Sequence, residues 1–426
     1  MELTLLLGLL ALLLIIGVPV AFALGLASLV TFIFMDIAPV VAFQRIATGV
    51  NVFSLMAIPF FIFAGDLMQQ AGIAERLVRV ADAAMGRIRG GLGVVDVGAS
   101  MMFGGVSGSA VASVSALGST LIPLMKEKGY DADYAVNVTS TSAILGILIP
   151  PSHNMIIYAA AAGVSVSVAD LFLAGVLPGI LTGILLAAAA WVIAVRRGYP
   201  KGEFPGWPAF AAAFASALPG LLTAVIIFGG VLGGVFTPTE SSAVAVIYTL
   251  VIALIVYRTL GFRGFTTAAQ NAVKTTAMVM LIIGSAAAFG WLLALLEAPE
   301  QLAALLRTLT DNPILILLLI NLILLILGTF MDMAPLIVIT SPIFLPVAMA
   351  TGMDPVQFGI MMMLNLGIGL VTPPVGSVLF GGCAVGKIKV EEAVRTIWPF
   401  YLALFLALMA ITFVPALTLT LPGLAG

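Results

Sequence analysis

The chain has 426 residues, of which 62% are hydrophobic and 8% charged, with a formal net charge of −2 and a mean hydropathy of +1.24. An average soluble protein is roughly 25% charged, so this chain cannot cover a water-facing surface, and a soluble enzyme, a nucleic-acid binder and a disordered chain are excluded. The single cysteine, Cys383, excludes a disulfide framework and a multi-cysteine metal site.

The N-terminal run MELTLLLGLLALLL has no basic flank and leads into further apolar sequence, so it reads as a span and not a cleaved leader. Apolar segments run at about 3–16, 19–35, 49–69, 92–126, 131–163, 168–195, 213–234, 239–257, 273–296, 313–347, 355–386 and 396–421. They are continuous and do not alternate, which predicts an all-α polytopic membrane protein and not a barrel. A crossing takes about 20 residues, and four segments exceed that. Segments 92–126 and 313–347 hold irregular middles, GGVSGS (104–109) and GTFMD (328–332), and are predicted to be re-entrant helical hairpins. Segments 131–163 and 355–386 contain Pro150-Pro151 and Pro373-Pro374. Proline inside a helix removes a hydrogen bond and clashes with the preceding turn, so each of these is predicted to be a broken helix. Stretches 74–90 and 299–311 alternate apolar and charged residues and are expected to be interfacial helices.

An internal repeat links these features. At an offset of 223 residues, Gly105 falls on Gly328, Pro123 on Pro346, Gly129 on Gly352 and Asp131 on Asp354. Gly146 falls on Gly369, Pro150 and Pro151 on Pro373 and Pro374, and Gly163 on Gly386, without a gap over 59 residues. The matching residues are mostly those that set backbone shape, which predicts two copies of one structural unit: repeat 1 over 1–195, a cytoplasmic linker over 196–212, and repeat 2 over 213–426. Lys and Arg set the expected orientation. Arg76, Arg79, Arg87 and Arg89 precede the first hairpin and Lys126 and Lys128 close it, so it opens to the cytoplasm. The second is flanked by Asp311 and Asp354, with Arg307 the only base nearby, and opens outward. Five crossings plus one hairpin per half then make the repeats inverted, with both termini periplasmic.

Irregular backbone at membrane depth is tolerated only where it is buried in protein or lines a cavity. Breaks of this kind expose helix N-terminal N–H groups, which attract anions, and carbonyls, which bind hard cations. The four breaks therefore suit a transporter of an anionic solute together with Na⁺. Candidate polar groups are Ser107 and Ser109 at the first tip and Ser152, His153 and Asn154 at the first Pro-Pro break. In the second half they are Thr329 and Asp332 at the tip, then Asn365, Thr372 and Ser377 at the break. Ionisable groups inside a bilayer are costly. Of Asp66, Asp96, Glu240 and Asp332, Asp332, at a hairpin tip, is the strongest functional candidate, Glu240 after Thr237-Pro238-Thr239 reads as a helix cap, and Asp66 and Asp96 lie near segment ends, where an interfacial and a functional reading both stand.

The motifs AIPFFIFAGDLMQQAGI (57–73), FGGVSGSAVASVSALGSTLIPLMKEKGY (103–130), GILIPPSHNMIIYA (146–159), FTPTESSAV (236–244), GTFMDMAPLIVITSPIFLPV (328–347) and GLVTPPVGSVLF (369–380) together resemble the large membrane subunit of tripartite ATP-independent periplasmic (TRAP) transporters, the DctM-like family, over essentially the whole chain. The resemblance implies Na⁺-driven uptake, by an elevator movement, of a C4-dicarboxylate, sialic acid or another organic acid across a bacterial inner membrane. It implies two partners, a small four-helix membrane subunit on a separate chain and a periplasmic solute-binding protein, and no cofactor beyond the coupling ion. It places Na⁺ at Gly105, Ser107, Ser109, Gly146 and Ser152 in one half and at Gly328, Thr329, Gly369, Thr372 and Val375 in the other. The substrate is expected between them, near Ser109, Ser152, His153, Asn154, Asp332 and Ser377, with backbone N–H groups, hydroxyls and Na⁺ supplying the positive field. Arg45, Glu297 and Glu300, on the outer face, are expected to dock the binding protein. The alternatives are a one-component Na⁺- or H⁺-coupled anion carrier, and an intramembrane serine hydrolase built on Ser107 and His153.

Overall fold

The computed structural model describes residues 1–202 and 204–425, and the side chains of Val106, Leu306, Arg307, Leu309 and Ala425 lie outside the described residues. The chain is nearly all α-helix, and among the described residues the only β pairing is a single bridge between Arg89 and Lys201. Among the described residues seven helices are long and apolar enough to cross a membrane, and up to nine if each bent pair is one span. Phe22, Trp207, Val225, Ile247 and Leu402 remain more than half exposed. Such a surface suits lipid, in which every backbone polar group must find its partner inside the helix.

Helix boundaries repeat at the offset seen in the sequence. Gly91–Ser107 and Ala110–Glu127 correspond to Pro313–Phe330 and Met333–Ala350, with two-residue breaks at 108–109 and 331–332. Ser109 caps the first second-arm helix by accepting from the Ala112 N–H, and Asp332, 223 residues on, caps its counterpart by accepting from the Met333 N–H. The amphipathic helices Ile73–Met85 and Ala298–Leu309 match in the same way.

The Pro-Pro segments break as expected. Ala132–Ser142 and Leu145–Leu148 lead to Pro150-Pro151, and His153–Ala161 leaves at a 53° bend. Pro355–Leu370 leads to Pro373-Pro374, and Ser377–Gly386 follows. Both Pro-Pro bonds are cis.

Five details differ from the sequence expectation. The glycine-rich middles are not irregular throughout: Gly104, Gly105 and Ser107 stay helical, as do Gly328 and Thr329. A helix keeps its N–H groups satisfied where no water is available, and the first arm ends only at Gly108, with φ 61°. The segment expected at 49–69 starts at Phe53 and not at 49, because residues 49 and 50 end a separate short helix, Pro39–Val50, which carries Arg45. The helix after the linker starts at Trp207 and not near 213, because Gly206 adopts φ 92° and Pro208 fits a first turn. The last apolar segment, 396–421, ends its helix Trp398–Phe413 at Val414–Pro415 and resumes at Ala416. Asp96 is not interfacial but fully buried. Glu240 is a cap: its carboxylate accepts from the Thr237 N–H at 2.8 Å and its own N–H donates to Thr237 Oγ1 at 3.2 Å.

The linker is tied to the first broken helix. Arg197 donates to Asp131 and to Asp133, each at 2.9 Å, and the Tyr199 hydroxyl donates to Asp131 at 2.7 Å. Hydrogen bonding to Asp133 raises the Arg197 pKa, and burial pushes the Tyr199 hydroxyl up to about 12.

Candidate functional site

Each hairpin tip packs against the Pro-Pro break of its own half, and glycine permits it. A methyl group on Gly104 would lie 2.8 Å from the Gly146 Cα, and one on Gly146 would lie 2.8 Å from Ser113 Oγ. A methyl on Gly108 would lie 2.8 Å from the Pro151 carbonyl, and one on Gly105 would lie 3.3 Å from that of Pro150. In the second half, a methyl on Gly369 would lie 2.5 Å from the Gly328 carbonyl carbon. Backbone meets backbone at corresponding places in the two halves.

Oxygen atoms gather at both junctions. The Ser109 carbonyl accepts from the Ser113 N–H at 3.0 Å and from its hydroxyl at 2.9 Å, and Ser107 Oγ lies 3.1 Å from Ser113 Oγ. Ser152 Oγ is buried with no hydrogen-bond partner among the described residues. In the second half the Val375 N–H donates to the Thr329 carbonyl at 3.1 Å, while the Thr329 and Thr372 hydroxyls donate back to Ile326 and Ile368 in their own helices. Tyr401 braces this break from Trp398–Phe413, donating to the Val371 carbonyl at 2.7 Å.

A cavity of about 650 Å³ is lined from both halves. Ser107, Ser109, His153 and Asn154 come from the first, and Asp332, Met333 and Leu370 from the second. Asp66, Gln69, Asn271 and Thr275 come from the two long helices Phe53–Gln70 and Phe262–Leu295. Four helices present their first turns to this space: Val20–Phe34, Ala110–Glu127, His153–Ala161 and Met333–Ala350. Helix N-termini carry partial positive charge and unpaired N–H groups. Among the described residues no Lys or Arg lines the cavity. The arrangement therefore attracts an anion through backbone dipoles and hydroxyls, with two carboxylates, Asp66 and Asp332, as the full charges nearby.

Other predicted residues fall elsewhere. Gly105, Gly146, Ser152, Gly328, Thr329, Gly369, Thr372 and Val375 sit at the tip–break junctions and do not line the cavity. Ser377 opens the helix Ser377–Gly386, is exposed, and does not line it either. Arg45 is exposed with its guanidinium 4.8 Å from the centre of the Trp291 ring, and Glu297 and Glu300 are exposed just beyond the same long helix. Sequence reading missed Asn271 and Thr275, and left Asp66 between an interfacial and a functional role. A signal existed: Asp66 and Gln69 are three apart and Asn271 and Thr275 four apart, spacings that put each pair on one helix face. Among the described residues no three His, Cys, Asp or Glu side chains cluster as a metal site. Ser107 bonds to Ser113 and the Ser109 carbonyl and not to His153, so no Ser–His dyad is formed.

Residues 7–417 match the family model described as the tripartite ATP-independent periplasmic transporter, DctM component. An uncharacterised Salmonella typhimurium protein, YgiK, is 44% identical over 98% of this chain and 96% of its own length. The sialic acid TRAP transporter large permease protein of Vibrio cholerae is 40% identical over 96% of this chain and 95% of its own. The C4-dicarboxylate TRAP transporter large permease protein of Rhodobacter capsulatus is 37% identical over 98% of both. The fold is similar to that of the Alcanivorax borkumensis YdaH transporter, with a TM-score of 0.61 over 87% of each chain at 16% identity.

Proposed function

The chain belongs to the DctM family as a TRAP transporter large permease subunit, a multi-pass membrane transporter and not an enzyme, and from that premise we propose that it takes up an organic acid by Na⁺ symport. The substrate class is a carboxylate such as a C4-dicarboxylate or sialic acid. The observation that carries the reading is the cavity onto which four helix N-termini open, with no Lys or Arg among the described residues of its lining. A carboxylate fits there because backbone N–H groups and the hydroxyls of Ser107 and Ser109 can hold it. His153 and Asn154 add side-chain donors, and Asp332, lining the same cavity from the second half, favours an accompanying cation. Na⁺ is held by carbonyl and hydroxyl oxygens at the tip–break junctions, around Gly105, Ser109, Gly146 and Ser152 in one half and Gly328, Thr329, Gly369, Thr372 and Val375 in the other.

The matched helix boundaries support two repeats, 1–195 and 213–426; in this scheme the distribution of Lys and Arg makes them inverted, each with five crossings and one re-entrant hairpin, both termini periplasmic. In this scheme hairpins and broken helices move together as an elevator against the remaining helices. The partners are a small four-helix membrane subunit and a periplasmic solute-binding protein, the latter docking near Arg45, Glu297 and Glu300.

The test is reconstitution in liposomes with both partners and a binding protein loaded with labelled acid. Uptake is expected with an inward Na⁺ gradient, and background counts when K⁺ replaces Na⁺ or the binding protein is omitted. Arg45→Glu should reduce the binding-protein-dependent component. Uptake by this chain alone would favour a one-component carrier, and uptake driven by a pH gradient without Na⁺ would favour H⁺ coupling.

A further inference from the structure

A second cavity, of about 980 Å³, lies between residues 87–89 and, from the linker, residues 198–202 and Phe204. The two segments are clipped together by backbone pairing: the Gly90 N–H donates to the Pro200 carbonyl at 3.1 Å, and Arg89 bridges to Lys201. The linker joins two spanning helices, Val168–Arg196 and Trp207–Leu232, so the cavity sits where the chain leaves the bilayer. Arg87, Arg89 and Lys201 line it, and all three are exposed. Among the described residues none of them lies within 4.0 Å of a carboxylate, whereas the neighbouring Arg197 is committed to Asp131 and Asp133. The rim is apolar and aromatic: Ile88 and Phe204 line the cavity and Trp207, 75% exposed, follows it.

We propose that this pocket binds the phosphate headgroup of an anionic phospholipid. Three clustered cations offer charge-assisted hydrogen bonds to phosphate oxygens. A basic pocket at the end of membrane helices is the setting in which headgroups are recognised, and exposed Trp marks the headgroup level. A soluble phosphate would make no use of the apolar rim. The bound lipid would staple the amphipathic helix Ile73–Met85, through its following loop, to the linker between the halves. This reading does not depend on which solute is carried.

The experiment titrates the purified full chain in neutral detergent with phosphatidylglycerol, phosphatidylcholine or inorganic phosphate, and reads thermal stability. Phosphatidylglycerol should raise the unfolding temperature with concentration, and the other two should not. The triple variant Arg87→Gln, Arg89→Gln, Lys201→Gln should bind phosphatidylglycerol about a hundred-fold more weakly, about five-fold per charge removed. Equal binding by the variant would overturn the proposal, and so would an equal response to inorganic phosphate. Should the variant not fold, native mass spectrometry of the wild type decides. Retained phosphatidylglycerol should fall as salt rises, and salt-independent retention would overturn it.

Discussion

At the residue scale, Asp96 shows how a charged side chain is accommodated in a dry interior. It is 0% exposed and accepts from the hydroxyls of Thr139, Ser142 and Ser100, the last two at 3.0 and 3.4 Å. These bonds fasten the first hairpin arm to the helix ahead of the first Pro-Pro break. Asp96→Ala leaves the Thr139 hydroxyl short of an acceptor, while Ser100 keeps Ser142 Oγ and Ser142 keeps the Thr139 carbonyl, and should cost about 1–3 kcal/mol, read from the unfolding midpoint in detergent. Asp96→Asn keeps an acceptor oxygen and should stay within about 1 kcal/mol of wild type. Equal losses in the two variants would mean that the carboxyl oxygens do not organise this contact. The sequence could not reveal the cage, because Asp96 and Thr139 are 43 residues apart. The role of Glu240 was legible because its partner is three residues away.

At the element scale, the second tip and break are joined by main chain. Val375 lends its N–H to the Thr329 carbonyl, and its side chain is 49% exposed. Val375→Ala should therefore transport normally in the reconstituted assay, while Val375→Pro, which removes the N–H, should lose most Na⁺-driven uptake. Gly369→Ala places a methyl 2.5 Å from the Gly328 carbonyl carbon, where backbone cannot give way cheaply. The expected outcome is a folded protein destabilised by about 1–3 kcal/mol with little uptake. Normal uptake in Gly369→Ala would show that close approach at this junction is dispensable. Glycines and prolines announce such breaks in a sequence because they act on their own backbone. The sequence misplaced where the helices stop, because glycine inside a buried helix is tolerated as long as the hydrogen-bond ladder continues.

At the scale of the whole molecule, the cavity lies between elements of different mobility in the proposed elevator. Val111, on the second arm of the first hairpin, and Phe22, on the helix Val20–Phe34, both line it. The only native cysteine, Cys383, is buried and can be replaced by serine for a clean background. In that background Val111→Cys together with Phe22→Cys should be bridged by mercuric ion, with uptake arrested and then restored by excess thiol. Uptake undiminished by a verified bridge would exclude relative movement of these two helices during transport.

The sequence by itself determined the solvent, the helical class, the duplicated order of tips and breaks, and the family. Each of these is written in composition, in the period of apolar residues, or in residues that bend their own backbone. Only the tertiary structure decided that Asp66, Asn271 and Thr275 share a cavity with Ser109 and Asp332, that Asp96 is caged and not interfacial, and that Arg87, Arg89 and Lys201 converge. Those facts depend on which helix faces turn toward one another across tens to hundreds of residues, and packing sets that geometry where no local pattern encodes it.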